Sequence, residues 1–256
     1  MFSDGEIGYR ILRTLRPPKG DGGIVSTVDF GLPYSSTLRS LLGPAWEEEL
    51  RGRTVIDFGC GQGRGSVEMA QHGAGRVIGI DIREDRLTMA EQLARDAGVQ
   101  DLCVFASKTE TTADLVISID AFEHFDDPGG ILRLVRDMMR PGGRFVVSFG
   151  PTWYHPYGGH FFSIFPWSHL MFSEHSQIRW RAEFKDDGAT RFTEVQGGLN
   201  LMTIAWFERL VAESGLTIER LRLVPIRKFR WFHNRWTREF TTALVECLLL
   251  KTRSEN

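Results

Sequence analysis

The run Asp57-Phe58-Gly59-Cys60-Gly61-Gln62-Gly63-Arg64-Gly65 constrains this chain more than any other. Glycines at alternate positions weaken helices and strands alike, so the run marks a tight turn between the apolar stretch before it and the helical one after it. A strand-turn-helix corner of this kind is where an open α/β sheet receives a ligand, because missing side chains let the ligand lie against the backbone. The spacing is not that of a dinucleotide fingerprint. Counting G-x-G-x-x-G from Gly59 puts Arg64 at the third glycine, and counting from Gly61 puts Ser66 there.

Two acidic residues narrow the ligand further. Asp57 would repel a pyrophosphate but suits a ligand carrying an ammonium group. Asp81 closes the next strand, where a carboxylate can accept hydrogen bonds from both hydroxyls of a ribose. Together they describe an adenosine with an amino-acid end.

From Thr54 to Phe149 short β-branched runs alternate with amphipathic stretches, the pattern of βαβ units and a parallel sheet. Strands are predicted at 54–58, 76–81, 102–106, 114–119 and 143–149, with helices at 65–72 and 83–98 and one ending before the turn signal Pro141-Gly142-Gly143. After a long break in the rhythm come a helix over 201–214 and strands over 216–224 and 241–251. The expected organisation is an N-terminal helical or irregular cap (1–53), the main half of the α/β domain (54–150), an irregular aromatic-rich insertion (151–198), and a helix with the last two strands (199–256).

Charge and cysteine usage exclude several classes. Net charge is −2, against a generally nucleic-acid-coating protein. The halves differ: residues 1–150 carry 17 Lys/Arg against 22 Asp/Glu, net −5, and 151–256 carry 14 against 11, net +3. Cys60, Cys103 and Cys247 are too few and too scattered for a disulfide framework or a thiolate zinc site, which fits a reducing cytoplasm. The N-terminus lacks the apolar core of a secretory signal, and the longest apolar run, Ala243 to Leu250, is interrupted by Glu246, so no membrane partner is expected.

At these residues the chain resembles the class I S-adenosylmethionine-dependent methyltransferases. The D-x-G-x-G-x-G at 57–63 is similar to their first motif, Asp81 to their ribose-binding acid, DLVISIDAFEHFDDP (114–128) to their fourth-strand segment, and RPGGRFVVSF (140–149) to the turn into their fifth strand. The resemblance implies a doubly wound, mostly parallel seven-stranded sheet of the Rossmann-like type and S-adenosylmethionine as cofactor, leaving as S-adenosylhomocysteine. It places Asp57, Gly59, Cys60, Gly61 and Gly63 around the methionine moiety, Ile82 on the adenine and Asp120 near the sulfonium. Many members bind the adenine amino group with an acid after the third strand. This chain has Ala106-Ser107-Lys108 there, so Ser107 or a backbone carbonyl takes that place.

The acceptor side is read from less. Glu123-His124 either starts the helix running through Leu134 or supplies a base, since an imidazole titrates in the useful range. His155, His160, His169 and His175 crowd into one window, but their spacing matches no familiar zinc pattern and no metal is expected. Trp153, Tyr154, Tyr157 and several phenylalanines share that window, as a small accessory core or as a lid over the acceptor. The lid is favoured, with His155 and His160 as further candidate bases, with Trp153, Tyr154, Tyr157 and His160 contacting the acceptor, and with Gly158-Gly159 and Gly197-Gly198 as hinges. The stretch 220–238 holds seven basic residues and no acidic one, interleaved with Phe229, Trp231, Phe232 and Trp236. These features predict methyl transfer to a small or medium-sized acceptor, with oxygen favoured over nitrogen or carbon. The alternatives are an RNA or protein methyltransferase using 220–238, and a non-catalytic nucleotide-binding module.

Overall fold

A computed structural model of the chain describes residues 5–15, 33–195 and 198–252. Along β1 (Thr54–Phe58) successive side chains leave opposite faces of the strand, so Ile56 and Phe58 enter one core while Val55 enters another. The same division holds in β2 (Arg76–Ile80), β4 (Ala113–Ile119) and β5 (Met139–Phe149), which are buried on both sides. Double burial is what a parallel sheet covered by helices requires.

β1 pairs in parallel with β2 and β4, β2 with β3 (Cys103–Ala106), and β4 with β5. β7 (Thr242–Leu250) lies antiparallel between β5 and β6 (Thr217–Pro225), giving the seven-stranded order β3-β2-β1-β4-β5-β7-β6. This is the mostly parallel, doubly wound sheet expected from the sequence. On one face lie α6 (Pro128–Met138) and α9 (Ile204–Ser214), through Leu132, Val135, Phe207 and Val211. On the other lie α2 (Tyr34–Leu42), α3 (Trp46–Leu50), α4 (Arg64–Gln71) and α5 (Glu84–Asp96), through Leu38, Trp46, Met69 and Ala94.

Three local expectations are corrected. The Pro141-Gly142-Gly143 turn is absorbed into β5 as a bulge: Ala113 pairs with Met139 but Leu115 with Arg144, and Gly142 takes φ 78°. Glu123 and His124 do not begin the following helix. They lie in a 3₁₀ turn, Phe122–His124, and α6 starts afresh where the Asp127 carboxylate accepts from Gly130 N–H, with Pro128 in the first turn. The insertion, read as irregular, contains α7 (Ser168–Met171), α8 (Glu174–Arg181) and two 3₁₀ turns.

The insertion has apolar cores of its own. Phe162, Ile178, Phe192, Val195 and Leu199 form one, and Phe172 and Trp180 form another with Leu12 of the N-terminal helix α1 (Gly5–Leu15). α1 approaches α8 closely enough that Ser176 Oγ donates to the Gly5 carbonyl at 3.0 Å. The insertion leaves the sheet at the carboxyl end of β5. Because Phe149 pairs with Val245 and Pro225 with Thr242, the connection from β6 to β7 emerges at that same edge, with α10 (Arg238–Thr241) closing it.

Candidate functional site

The glycine turn caps the carboxyl end of β1. Gly59 N–H and Cys60 N–H both donate to the Ile80 carbonyl, at 2.8 and 2.9 Å, fixing the turn to the end of β2. Gly59, Gly61 and Gly63 all take positive φ, but for different reasons. A Cβ at Gly59 would meet Ala121 and one at Gly63 would meet Ala90, so both are glycine partly for packing. At Gly61, with φ 52°, nothing lies within 4 Å of that position. Here alone in the turn the missing side chain opens onto space that a ligand can use. Cys60 contributes through its backbone only, since its side chain is buried and burial, with the Asp57 charge nearby, pushes the thiol pKa up.

Asp57 is fully buried beneath the turn, and both its oxygens are engaged. Ser66 donates to Oδ2 at 2.6 Å and Tyr34 to Oδ1 at 3.4 Å. Burial raises its carboxyl pKa to about 6, an effect the two hydroxyl donors oppose and the Asp81 charge adds to. Tyr34 joins the candidate site without any local sequence pattern that selects it. Its ring fills the space where a Cβ on Gly65 would sit, and the Glu68 carboxylate accepts from Tyr34 N–H and Ser35 N–H at 3.1 and 2.9 Å, holding the start of α2 against α4.

Asp81 stands opposite. Its Oδ2 accepts from Gly61 N–H and its Oδ1 from Arg83 N–H, each at 2.9 Å, so it braces the turn while each oxygen keeps a further lone pair. Beside it a cavity of about 350 Å³ runs between Ile82, Ser107, Lys108, Phe125 and Leu134. Ile82 is 89% exposed at its rim. A carboxylate at the mouth, apolar walls beyond and an open glycine turn to the side fit a ribose, a flat base and an amino-acid tail respectively. Ser107, Lys108 and Thr109 are the only side chains the post-β3 segment brings to the wall among the described residues, and none is acidic.

The other end of the site is built from β4, β5 and the insertion. Asp120 closes β4 with φ 53°, its N–H bonded to the Ser148 carbonyl, and His160 takes φ 51°. Such conformations cost of order 1 kcal/mol or more for a non-glycine residue and cluster at functional sites. The rings of His124 and His160 meet edge to face at 5.5 Å. His124 Nδ1 lies 3.1 Å from the Gly198 carbonyl. A carbonyl only accepts, so Nδ1 carries the hydrogen and Nε2 presents a lone pair. His160 Nε2 is buried with no partner, and burial together with the neighbouring His124 pushes its pKa down to about 4. Glu123, fully buried, accepts from Gly150 N–H at 3.2 Å through Oε1 and leaves Oε2 unpartnered; burial raises its pKa, and His124 opposes the rise only when its ring is protonated.

The remaining predicted residues divide. Nδ1 of His155 accepts from Tyr157 N–H at 3.0 Å. His169 spends both nitrogens, Nε2 on the Trp153 carbonyl at 2.7 Å and Nδ1 on Ser163 Oγ at 2.9 Å. His175 packs against Gly5 of α1, away from the others. Among the described residues no three His, Cys, Asp or Glu side chains converge as metal ligands. The Trp153 ring is held between His169 and Phe192, and Tyr154 lies on Phe240. The Gly158-Gly159 hinge is corrected: a Cβ at Gly158 would lie 2.2 Å from the Thr152 carbonyl and one at Gly159 would lie 2.3 Å from His169, so both glycines serve close packing. Gly197 falls outside the described residues. Gly198, at φ 60°, is pressed to within 2.8 Å of the His124 carbonyl at its Cβ position.

Burial holds the His155 and His169 imidazoles near pKa about 4, against an ordinary 6.5. An unfolded chain therefore binds more protons than the folded one between these values, and these two groups withdraw stability as pH falls from 6.5 toward 4, by up to ~1.4 kcal/mol per pH unit each. Asp57, raised to about 6, acts oppositely and withdraws stability as pH rises from about 4 through 6. NMR titration should show both imidazoles neutral from pH 8 to 5. Midpoints above 6 would contradict their assignment as neutral scaffold groups.

A family model described as a methyltransferase domain matches residues 34–221, well over half of the chain. Ubiquinone biosynthesis O-methyltransferases are similar over a shorter stretch. That of Aeromonas salmonicida is 37% identical over 105 residues, 39% of this chain and 44% of the relative, and that of Stutzerimonas stutzeri is 33% identical over 112 residues, 40% and 48%. The match thus spans less than half the length of these curated relatives. Among solved structures, magnesium protoporphyrin IX methyltransferase from Synechocystis, with S-adenosylhomocysteine bound, superposes with TM-score 0.58 at 18% identity, over 97% of this chain and 95% of that one. A sarcosine dimethylglycine methyltransferase, so described provisionally, from Galdieria sulphuraria gives 0.58 at 14% identity, over 96% and 98%. At such identities the likeness is one of fold.

Proposed function

Because this chain belongs to the methyltransferase-domain family, we propose that it transfers a methyl group from S-adenosylmethionine to a hydroxyl oxygen of a small or medium-sized acceptor. The observation that carries the reading is the pairing of an open turn at Gly61, braced by Asp81, with a His124 ring whose Nε2 is left as an acceptor. The O-methyltransferase names of the curated relatives support oxygen as the nucleophile.

S-adenosylmethionine supplies a methyl group on a sulfonium, whose leaving group is a neutral thioether. Everything else falls to the chain. Asp81 accepts from the ribose hydroxyls, Ile82 and Phe125 hold the base, and the backbone at Gly61 receives the amino-acid tail above the buried Asp57 charge. His124 Nε2 takes the acceptor's hydroxyl proton, and the Gly198 carbonyl orients the ring through Nδ1. His160 and the insertion wall off the acceptor from water, so that positioning supplies most of the acceleration.

The test is to incubate the protein with methyl-labelled donor and a fractionated small-molecule extract, then to locate the label by mass spectrometry. A methyl ether formed with stoichiometric S-adenosylhomocysteine is expected. Label found only on RNA or protein would replace this reading with the macromolecular one, and no turnover with any fraction would leave a nucleotide-binding module.

Asp81→Ala should weaken S-adenosylhomocysteine binding by on the order of 1–3 kcal/mol, losing the ribose contact and freeing the Gly61 N–H it now holds. Asp81→Asn, which keeps one acceptor oxygen, should lose less. Titration calorimetry that finds either variant equal to wild type would remove Asp81 from the site.

A further inference from the structure

Among the described residues, the β6 to β7 connection is the most exposed apolar surface outside the cofactor cavity. Trp231 is 77% and Trp236 81% exposed, with Phe232 beside them. Its exposure is not that of a loose loop. Asn234 Oδ1 accepts from Trp236 N–H, Asn234 Nδ2 donates to the Phe232 carbonyl, and Thr237 Oγ1 accepts from Asn234 N–H. At its root Arg238 pairs with Glu208, and the Glu239 carboxylate accepts from Ile204 and Ala205 N–H groups at the start of α9. The indoles are therefore presented to solvent by a braced turn.

The cations in the stretch fall into two sets. Arg220 and Arg222 bond to Ser40, Arg222 also to Glu246, and Arg238 to Glu208, all within the chain. Arg227, Lys228, Arg230 and Arg235 are exposed and form no ion pair among the described residues. Arg235 instead lies over Trp236, 4.7 Å from the ring centroid. Four unpaired cations and two exposed indoles thus share one rigid projection, at the sheet edge where the insertion rises. Tyr154 on Phe240 and Trp167 on Phe229 join the projection to the insertion.

We infer that this projection docks the protein peripherally on an anionic phospholipid bilayer. Indole rings settle at the level of the headgroups, where an apolar body and a polar N–H are both satisfied, and neighbouring lysines and arginines add electrostatic attraction to acidic lipids. No described helix is long and apolar enough to cross a membrane, and docking of this kind needs none. A single-stranded nucleic acid would use the same cations but would stack bases on open ring faces. Here one face of Trp231 is taken by Phe232 and one face of Trp236 by Arg235. The sequence argued against a membrane partner only through its lack of a spanning segment, which is a separate matter.

Flotation of the full chain with large unilamellar vesicles tests the inference. Binding to vesicles containing phosphatidylglycerol should exceed binding to pure phosphatidylcholine at least about tenfold and should fall as salt is raised. Trp231→Ser with Trp236→Ser should abolish flotation, and R227E with K228E and R230E should lower it about tenfold or more, with thermal unfolding unchanged in both. Flotation no greater than in vesicle-free controls would overturn the inference. So would flotation indifferent to both sets of substitutions, or tighter binding to a single-stranded RNA that the same substitutions abolish. Thermal unfolding, rather than methyl transfer, serves as the control, so a failure here is distinguishable from a failure of the proposed activity.

Discussion

Gly61→Val should abolish detectable S-adenosylhomocysteine binding in a protein that still folds. Two effects act together. The left-handed conformation at φ 52° costs a β-branched residue ~1–3 kcal/mol, which shifts the turn and the Asp81 contact with it. The new side chain also enters the one position of the turn with nothing within 4 Å, the space assigned to the ligand. Since no chain atoms are struck, stability should fall by little more than the conformational cost, while affinity falls by a factor of about 100 or more, or ~2.7 kcal/mol. Gly61→Ala should lie between. Calorimetry showing near-wild-type affinity for the valine variant would mean that the ligand passes elsewhere.

The second large effect is expected at His124. His124→Ala should lower kcat for a hydroxyl acceptor by roughly 10²–10⁴, the range for losing a positioned general base, with S-adenosylhomocysteine affinity unchanged. His160→Ala should cost less, because its Nε2 has no partner and burial holds it as a weak base of pKa about 4. The comparison matters more than either value. Equal losses would make the two rings a single packing unit, and an unaffected His124→Ala enzyme would leave the hydroxyl proton to solvent.

The donor half of the candidate site is legible in the sequence because it is local. The β1 strand, its glycine turn and Asp81 lie within a short stretch, and period-two burial with turn chemistry fixes them without reference to distant residues. Tyr34 and Glu68 were not legible: their roles depend on α2 docking beside α4, which no local pattern announces. On the acceptor side the histidine-rich window was visible, but not its division. His160 reaches His124 across more than thirty residues, whereas His169 turns to Ser163 and Trp153. Identical residue types in one window acquire different roles from tertiary contacts alone. The Gly158-Gly159 pair differs from its expected hinge role for a similar reason, since a glycine pair signals either freedom or close approach, and only the surrounding carbonyls and His169 decide.

The insertion's separate cores carry a consequence for how such an enzyme can change. Phe162, Phe192 and Trp180 bury themselves without joining either apolar layer of the sheet. Substitutions in groups that share no contacts add nearly independently, so changes in the insertion transmit little strain to the glycine turn proposed to hold the donor. On the proposed function, a new acceptor is then reached by exchanging one contiguous cassette between β5 and α9, with the glycine turn and Asp81 inherited intact. Divergence among descendants should accordingly concentrate in that cassette, and chimeras cut at its two ends should retain donor binding even where they lose their acceptor.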